Sequence, residues 1–322
     1  MSATKQSDKV RSLRYWGLVL ACASALIGIA TFASQAAAQS NQYRTFPSPE
    51  EAVKTLVETV KKRDVDALLA IFGPEGKELL ASSDPATARM NRQVFGVAAA
   101  ERWLLTDADV NRKTLVIGNE EWPFPVPLVR EASGWRFDTA AGKEEVIARR
   151  IGRNELAAID TVRAYVTAQR RYAAQGHDGN QPGVYATKFR SDPGKENGLY
   201  WPAAPGQKRS PLGDFAAQGA EEGRAVSGDG ARPSPYRGYY FKILTAQGAA
   251  AAGGAKPYVV KGLMSAGFAL VAWPAQYDVT GIMTFIVNQD AIVREKDLGP
   301  GTDAAAREMR VYNRDASWRQ VQ

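Results

Sequence analysis

A chain of 322 residues, 45% hydrophobic and 23% charged, is long enough for about two domains with a core in each. One cysteine and one histidine exclude a disulfide framework and a metal cluster built from those residue types. The net charge of +7 is a modest excess over a long chain. Arg149-Arg150 and Arg170-Arg171 are short basic pairs on a solvated helix face without interleaved aromatics, so no nucleic-acid partner is expected.

The opening MSATKQSDKVRSLRYWGLVLACASALIGIATFASQAAAQS has a basic start (Lys5, Lys9, Arg11, Arg14). An apolar run from Tyr15 to about Phe32 follows, and the segment ends in Ala36-Ala37-Ala38. Small residues there suit the narrow subsites of a signal peptidase, which predicts a secretory signal peptide over 1–38, cut after Ala38. An uncleaved anchor is the alternative, because the run approaches spanning length. Lipid attachment at Cys22 fits less well, since only a short apolar region precedes it and Leu20 stands where a small residue is usual. Removal would take the sole cysteine, together with four Lys or Arg and one Asp, leaving +4. No later segment is apolar enough to span a membrane, so the expected localisation is periplasmic or extracellular.

A first domain is expected over 39–148. TFPSPEEAVKTLVETVKKRD carries a helix start, with Ser48 as N-cap, Pro49 in the first turn and Glu51 three residues after the cap. Val53, Leu56, Val57 and Val60 form its apolar face. Asp64 can cap a second helix, VDALLAIF, ended by Gly73-Pro74, and a third spans about Ala86 to Glu101. The period then changes to short strand-like runs at Lys113–Gly118, Val126–Glu131 and Gly134–Thr139. Pro123, Pro125 and Pro127 lack amide donors, which puts WPFPVP on a sheet edge or in an extended loop. Trp122, Phe124 and Trp135 are the candidate ligand-binding aromatics; the alternative is that Trp122 and Phe124 only cover the open end of a sheet.

The order of helices and then sheet, from PSPEEAVKTLVETVKKRDVDALLAIFGPEG to LVREASGWRFDTAAG, resembles nuclear transport factor 2-like domains and their cystatin-like relatives. That resemblance implies a curved sheet wrapped on a helix around a pocket. Enzymes of the group use His, Asp or Tyr in the pocket; this domain has no His, which favours binding over catalysis.

A second domain is expected over 149–322. ARRIGRNELAAIDTVRAYVTAQRRYAAQ forms a long helix with a stripe of Leu156, Ile159, Val162, Val166 and Gln169, flanked by Tyr165 and Tyr172. Gly176 ends it, and HDGNQPG is a loop whose His177 is read as solvated, because no partner or orienting group stands nearby in sequence. Asp178 and Asn180 set carboxylate and amide oxygens close together, as a calcium loop does. QPGVYA supplies no further oxygens at the expected places, so no metal and no cofactor is assigned. A Pro/Gly-rich excursion covers 201–235, and its Gly228–Gly230 lacks the Lys and helix of a phosphate loop.

RGYYFKILTAQG is a strand with Tyr239, Phe241 and Ile243 on one face. GFALVAW, GIMTFIV and AIVRE then form an antiparallel meander with turns at PAQYDVT and Asn288-Gln289-Asp290. Both faces of the meander are apolar; one should meet the long helix and the other the first domain.

The long helix ending in AQRRYAAQ, then GYYFKILTA, GFALVAWP and TGIMTFIVNQDAIVRE, resembles the globular head of type IV pilins and pseudopilins. That family ends on a strand of the form TGxxxFxVxxxGxI, matched here by Thr280, Gly281, Phe285 and Val287, with Ala291 in place of Gly. Pilins keep an apolar helical half after their cleavage site, whereas a separate domain stands here, so assembly into a pilus by the usual route is not implied. Over Thr45 to Trp318, IGRNELAAID, GLYWPAAPG, YYFKILTAQG and VTGIMTFIVNQD resemble the bacterial secreted family termed domain of unknown function 2950, which carries no activity with it.

The fold class expected is α+β, in two domains that each pack a helix on an antiparallel sheet. The function expected is an exported envelope protein acting as a non-enzymatic binding or interaction module, its partner an unidentified envelope protein or small ligand. One alternative is a hydrolase or lyase using carboxylates and tyrosines, with Glu120, Glu121, Asp278 and Asp290 as candidate acids. The other is an accessory subunit of a secretion or pilus-like machine.

Overall fold

The computed structural model describes residues 43–80, 85–204, 206–213 and 235–321. The expected signal peptide, most of the Pro/Gly-rich excursion and Gly228–Gly230 lie outside the described residues. The fold is α+β: among the described residues, helices with two five-stranded antiparallel sheets, two short two-stranded ribbons and two hydrophobic cores. Among the described residues no helix is long and apolar enough to cross a membrane.

The first half opens with α1 (Pro49–Lys62), α2 (Val65–Phe72), α3 (Gly76–Leu80) and α4 (Pro85–Glu101). The caps sit where local chemistry puts them: Ser48 accepts from the Glu51 amide and Asp64 from the Ala67 amide, each satisfying a helix-start donor. The sheet follows with β1 (Trp103–Asp109), β2 (Arg112–Ile117), β3 (Trp122–Pro123), β4 (Leu128–Glu131) and β5 (Gly134–Phe137). Its order is β1-β2-β4-β5, with β3 also paired to β2. Strand β1 was not foreseen; its outer residues are polar and exposed, so its alternation is weak.

Leu115, Ile117, Leu128, Trp135 and Phe137 point into the core shared with Val53, Leu56, Leu68, Ile71 and Phe72 of the helices. Phe46 adds an isolated bridge to Trp135. The chain passes so close there that a Cβ on Gly134, at φ +124°, would lie 2.6 Å from the Phe46 carbonyl oxygen. Only glycine meets both demands.

Helix α5 (Thr139–Ala173) is one unbroken element of 35 residues. The boundary expected at 148/149 therefore falls inside a helix, which starts nine residues earlier than the pattern suggested. Its start is capped by Asp138, which accepts from the Ala141 amide and pairs with Arg112 and Arg136. Gly142 lowers the helix propensity of this turn; a Cβ there would come 2.6 Å from Val126 Cγ2, so the glycine serves close packing. Thr139 Oγ1 donates to the Phe72 carbonyl at 2.7 Å and ties the helix to the first core.

The second half contains β6 (Tyr239–Leu244) and two short ribbons, β7 (Ala246–Gln247) with β8 (Lys256–Pro257) and β9 (Val259–Val260) with β10 (Leu263–Met264). The meander follows as β11 (Ala269–Pro274), β12 (Met283–Asn288) and β13 (Arg294–Asp297), then α6 (Thr302–Glu308) and β14 (Arg319–Gln320). The sheet order is β14-β13-β12-β11-β6.

Every residue of β11 is buried, so both faces are covered. The C-terminal part of α5 packs on the face carrying Phe268, Leu270 and Phe285, with Tyr165 edge-on to Phe268 at 5.7 Å. On the opposite face lies α6, not the first half as expected: Trp273 donates to Asp303 at 2.9 Å, and Lys242 Nζ donates to the carbonyls of Ala306 and Arg307.

The helix stripe also needs correction. Leu156 is 66% exposed, while Tyr165 and Tyr172 are core residues. Gln169 is buried because its amide is fully used, donating to Tyr165 Oη and the Ala186 carbonyl and accepting from the Ala186 amide.

Candidate functional site

The acids singled out in the sequence do not converge. Glu120 and Glu121 share one exposed turn, where Glu121, at φ +52°, pairs with Arg102 at 3.2 Å. Asp278 and Asp290 sit in turns at opposite ends of the β11–β12 pair. Asp278 donates its amide to the Gly281 carbonyl, and Asp290 accepts from Asn288 Nδ2. Acid and base roles need carboxyls in contrasting environments around one reacting atom. Neither pair is arranged in that way.

The aromatics divide. Phe124 is half-buried in a cluster with Phe72, Phe95, Trp122 and Phe137, and Trp135 is buried, so both belong to the first core. Trp122 is 46% exposed. The Arg149 guanidinium lies over its ring at 5.5 Å and donates to the Pro123 carbonyl at 2.7 Å. Arg149 thus clamps the edge strand β3 instead of standing free on a solvated face.

Asp178, at φ +48°, accepts from the Glu196 amide through Oδ1, and the Asn180 amide donates to the His177 carbonyl. The loop is held by these bonds. Among the described residues no group of three His, Cys, Asp or Glu side chains could hold a metal ion.

His177 is buried, with its side chain 2% exposed, which corrects the solvated reading. The ring stacks on Tyr172 at 4.1 Å, Nδ1 lies 2.8 Å from Glu196 Oε2, and Trp201 stands 5.5 Å away. Nε2 is buried and, among the described residues, has no hydrogen-bond partner. The partner missing from the local sequence is nineteen residues downstream. Burial also pushes the Tyr172 phenol up to about 12, with Asp178 and Glu196 adding to it.

A cleft lies elsewhere, between α1 and α4 in the first half. It measures about 830 Å³, within the range of small-molecule sites, and a crevice between helices is a common place for one. Val60 and Val65 form one wall, and Gly96, Val97 and Ala100 the other. Gly96 opens the cleft, because even a Cβ there would only touch Val60, at 3.4 Å. Val97 and its neighbour Val94 are each 63% exposed. Lys61, Arg63 and Arg92 line the same cleft, and none has an ion-pair partner among the described residues. Glu101 is its one acid among the described residues, and Oε2 accepts from Asn119 Nδ2.

Local sequence explains each wall but not their meeting. Helix α1 turns its residues inward through Val53, Leu56 and Val57, leaving Val60 at the margin. Helix α4 does so through Phe95, Ala98 and Ala99, leaving Val94 and Val97 outside. None of these residues stands out as a site in the sequence; two valines beside a glycine on the outer side of a helix, Val94 and Val97 with Gly96, are the available signal.

No curated protein and no solved structure matches the chain. The family described as Protein of unknown function (DUF2950) matches residues 43–321. Nearly all of the sequence takes part in that match, across both cores and the helix that joins them, and the chain accordingly belongs to the DUF2950 family.

Proposed function

We propose that this protein is an exported, non-catalytic binding module of the bacterial cell envelope, holding its ligand in the groove between α1 and α4. The observation that carries this reading is the groove: an apolar cleft of about 830 Å³ lined by cations that have no ion-pair partner among the described residues, against candidate acids that share no cleft. Export rests on the basic, apolar and small-residue sequence of 1–38. The nuclear transport factor 2-like and pilin-head likenesses rest on element order and on the TGxxxFxV pattern alone. Secreted protein should begin at Gln39, and another start would defeat the cleavage reading.

A photo-crosslinking residue placed at Val97 in producing cells tests the groove. The expected result is a defined adduct that disappears in Gly96→Leu, whose side chain fills the cleft. Turnover of envelope glycans, peptides or esters, abolished by substitution of one carboxylate, would favour the hydrolase alternative and overturn the proposal. Reproducible capture of pilin or secretion components would favour the machine-subunit alternative.

A further inference from the structure

We infer that the ligand of the α1–α4 groove is a single-chain amphiphile with an anionic head, an inference that rests on the groove being the binding site. The walls ask for an apolar chain, because Val60, Val65, Val97 and Ala100 present only hydrocarbon and each methylene they bury is favourable. The cations ask for a negative head: Lys61, Arg63 and Arg92 line the groove together with one carboxylate among the described residues, Glu101, and none is neutralised by an ion pair among those residues. An anion between them gains attraction while the cations keep most of their hydration.

The backbone at Arg63 adds to this. Arg63 closes α1 in the left-handed region at φ +57°, with its amide donating to the Val60 carbonyl and the Asp64 amide donating to the Thr59 carbonyl. Glycine is the usual residue in that helix-ending arrangement. A β-carbon there is strained, and the strain accompanies a cationic side chain that lines the cleft.

Larger occupants fit less well. The ten residues of α4 from Arg92 to Glu101 present a strip about 15 Å long and one helix wide, on the order of 150–180 Å², far short of the roughly 800 Å² per partner of a stable protein interface. A second copy related by a twofold axis would set the three cations against themselves.

Calorimetry of the full chain with laurate, decanoate and dodecyltrimethylammonium, all below their micelle concentrations, tests the inference. Laurate should bind one to one. Decanoate, two methylenes shorter, should bind about fifteenfold more weakly. The cation with the same chain length should bind roughly tenfold more weakly than laurate or worse. Arg63→Gly should weaken laurate about three- to tenfold while its melting temperature holds or rises, which separates lost recognition from lost folding. Gly96→Leu should abolish laurate binding with the fold retained by circular dichroism.

Equal affinity for the cationic and anionic amphiphiles overturns the inference, as does laurate binding that Gly96→Leu leaves unchanged. Self-association blocked by Gly96→Leu, or an acidic peptide that outcompetes laurate, overturns it in favour of those occupants. Absence of laurate binding together with a Gly96-sensitive crosslink at Val97 overturns the ligand class and leaves the groove as the site. Absence of both overturns the site as well.

Discussion

His177 Nδ1 lies 2.8 Å from Glu196 Oε2 while the imidazole stacks on Tyr172 at 4.1 Å, so the loop after α5 is fastened to the end of that helix by one buried ring. With Nδ1 on the Glu196 carboxyl, Nε2 is the buried nitrogen that has no hydrogen-bond partner among the described residues. Lys208 approaches the same carboxylate at 3.7 Å. His177→Ala removes the stack and the hydrogen bond and leaves a cavity. We expect it to lower the unfolding free energy by about 2–4 kcal/mol in urea titration. Glu196→Gln keeps an acceptor near Nδ1 and should cost about 1 kcal/mol or less. Equal and small effects would mean that the ring does not fasten the loop.

Stability should decline in alkali. Burial raises both the Tyr172 and Tyr258 phenols to about 12, and Tyr165 and Tyr239 are pushed up as well. A raised phenol favours the neutral form in the folded state. Its contribution is therefore complete below the unfolded value near 10 and is lost as pH rises through about 12. Unfolding free energies from urea titration should fall between pH 10 and 12, by on the order of 1–2 kcal/mol for each of Tyr172 and Tyr258. The double substitution to Phe should flatten that slope, and an unchanged slope would assign it to other groups.

Ala291 occupies a position that glycine fits better. Its φ is +64°, in the turn where the Ala291 amide donates to the Asn288 carbonyl, and a β-carbon in the left-handed region is strained. Ala291→Gly should raise stability by about 0.5–1 kcal/mol after its cost in unfolded-chain entropy, seen as a melting temperature about 2 °C higher. A lower melting temperature would contradict the strain. The pilin-head pattern has glycine at this place, so the substitution also makes the turn conform to it.

Glu155 joins helix to sheet. Its Oε1 accepts from the amides of Ile282 at 2.9 Å and Met283 at 3.0 Å, and the adjacent Asn154 donates to the Thr280 carbonyl at 2.9 Å. Glu155→Leu strands two amides at the entry to β12 and should cost about 2–4 kcal/mol, with faster hydrogen exchange at residues 282 and 283. Glu155→Gln retains an acceptor and should cost about 1 kcal/mol. Unchanged exchange in the leucine variant would show that the amides find other partners.

Local chemistry was legible wherever it acts over a few residues. Ser48 and Asp64 cap the helices expected of them, and the alternation through Phe268–Trp273 became a strand buried on both faces. Proline-rich WPFPVP became a short outer pairing on β2, as its missing amides require. Misreadings came where one local signal hid another: Gly142 concealed the first turns of α5, and the polar end of β1 concealed a strand.

By itself the amino-acid sequence determined the element types, their caps and the apolar meander, because capping, proline and side-chain alternation are decided within a turn or a strand. The tertiary structure alone decided that His177 is buried against Glu196, that α6 covers the second face of the sheet, and that Val60 meets Gly96 across a groove. Those contacts join residues nineteen to thirty-six positions apart. They exist because burial of the two cores offsets the entropy of closing the intervening chain, a balance that no short segment contains.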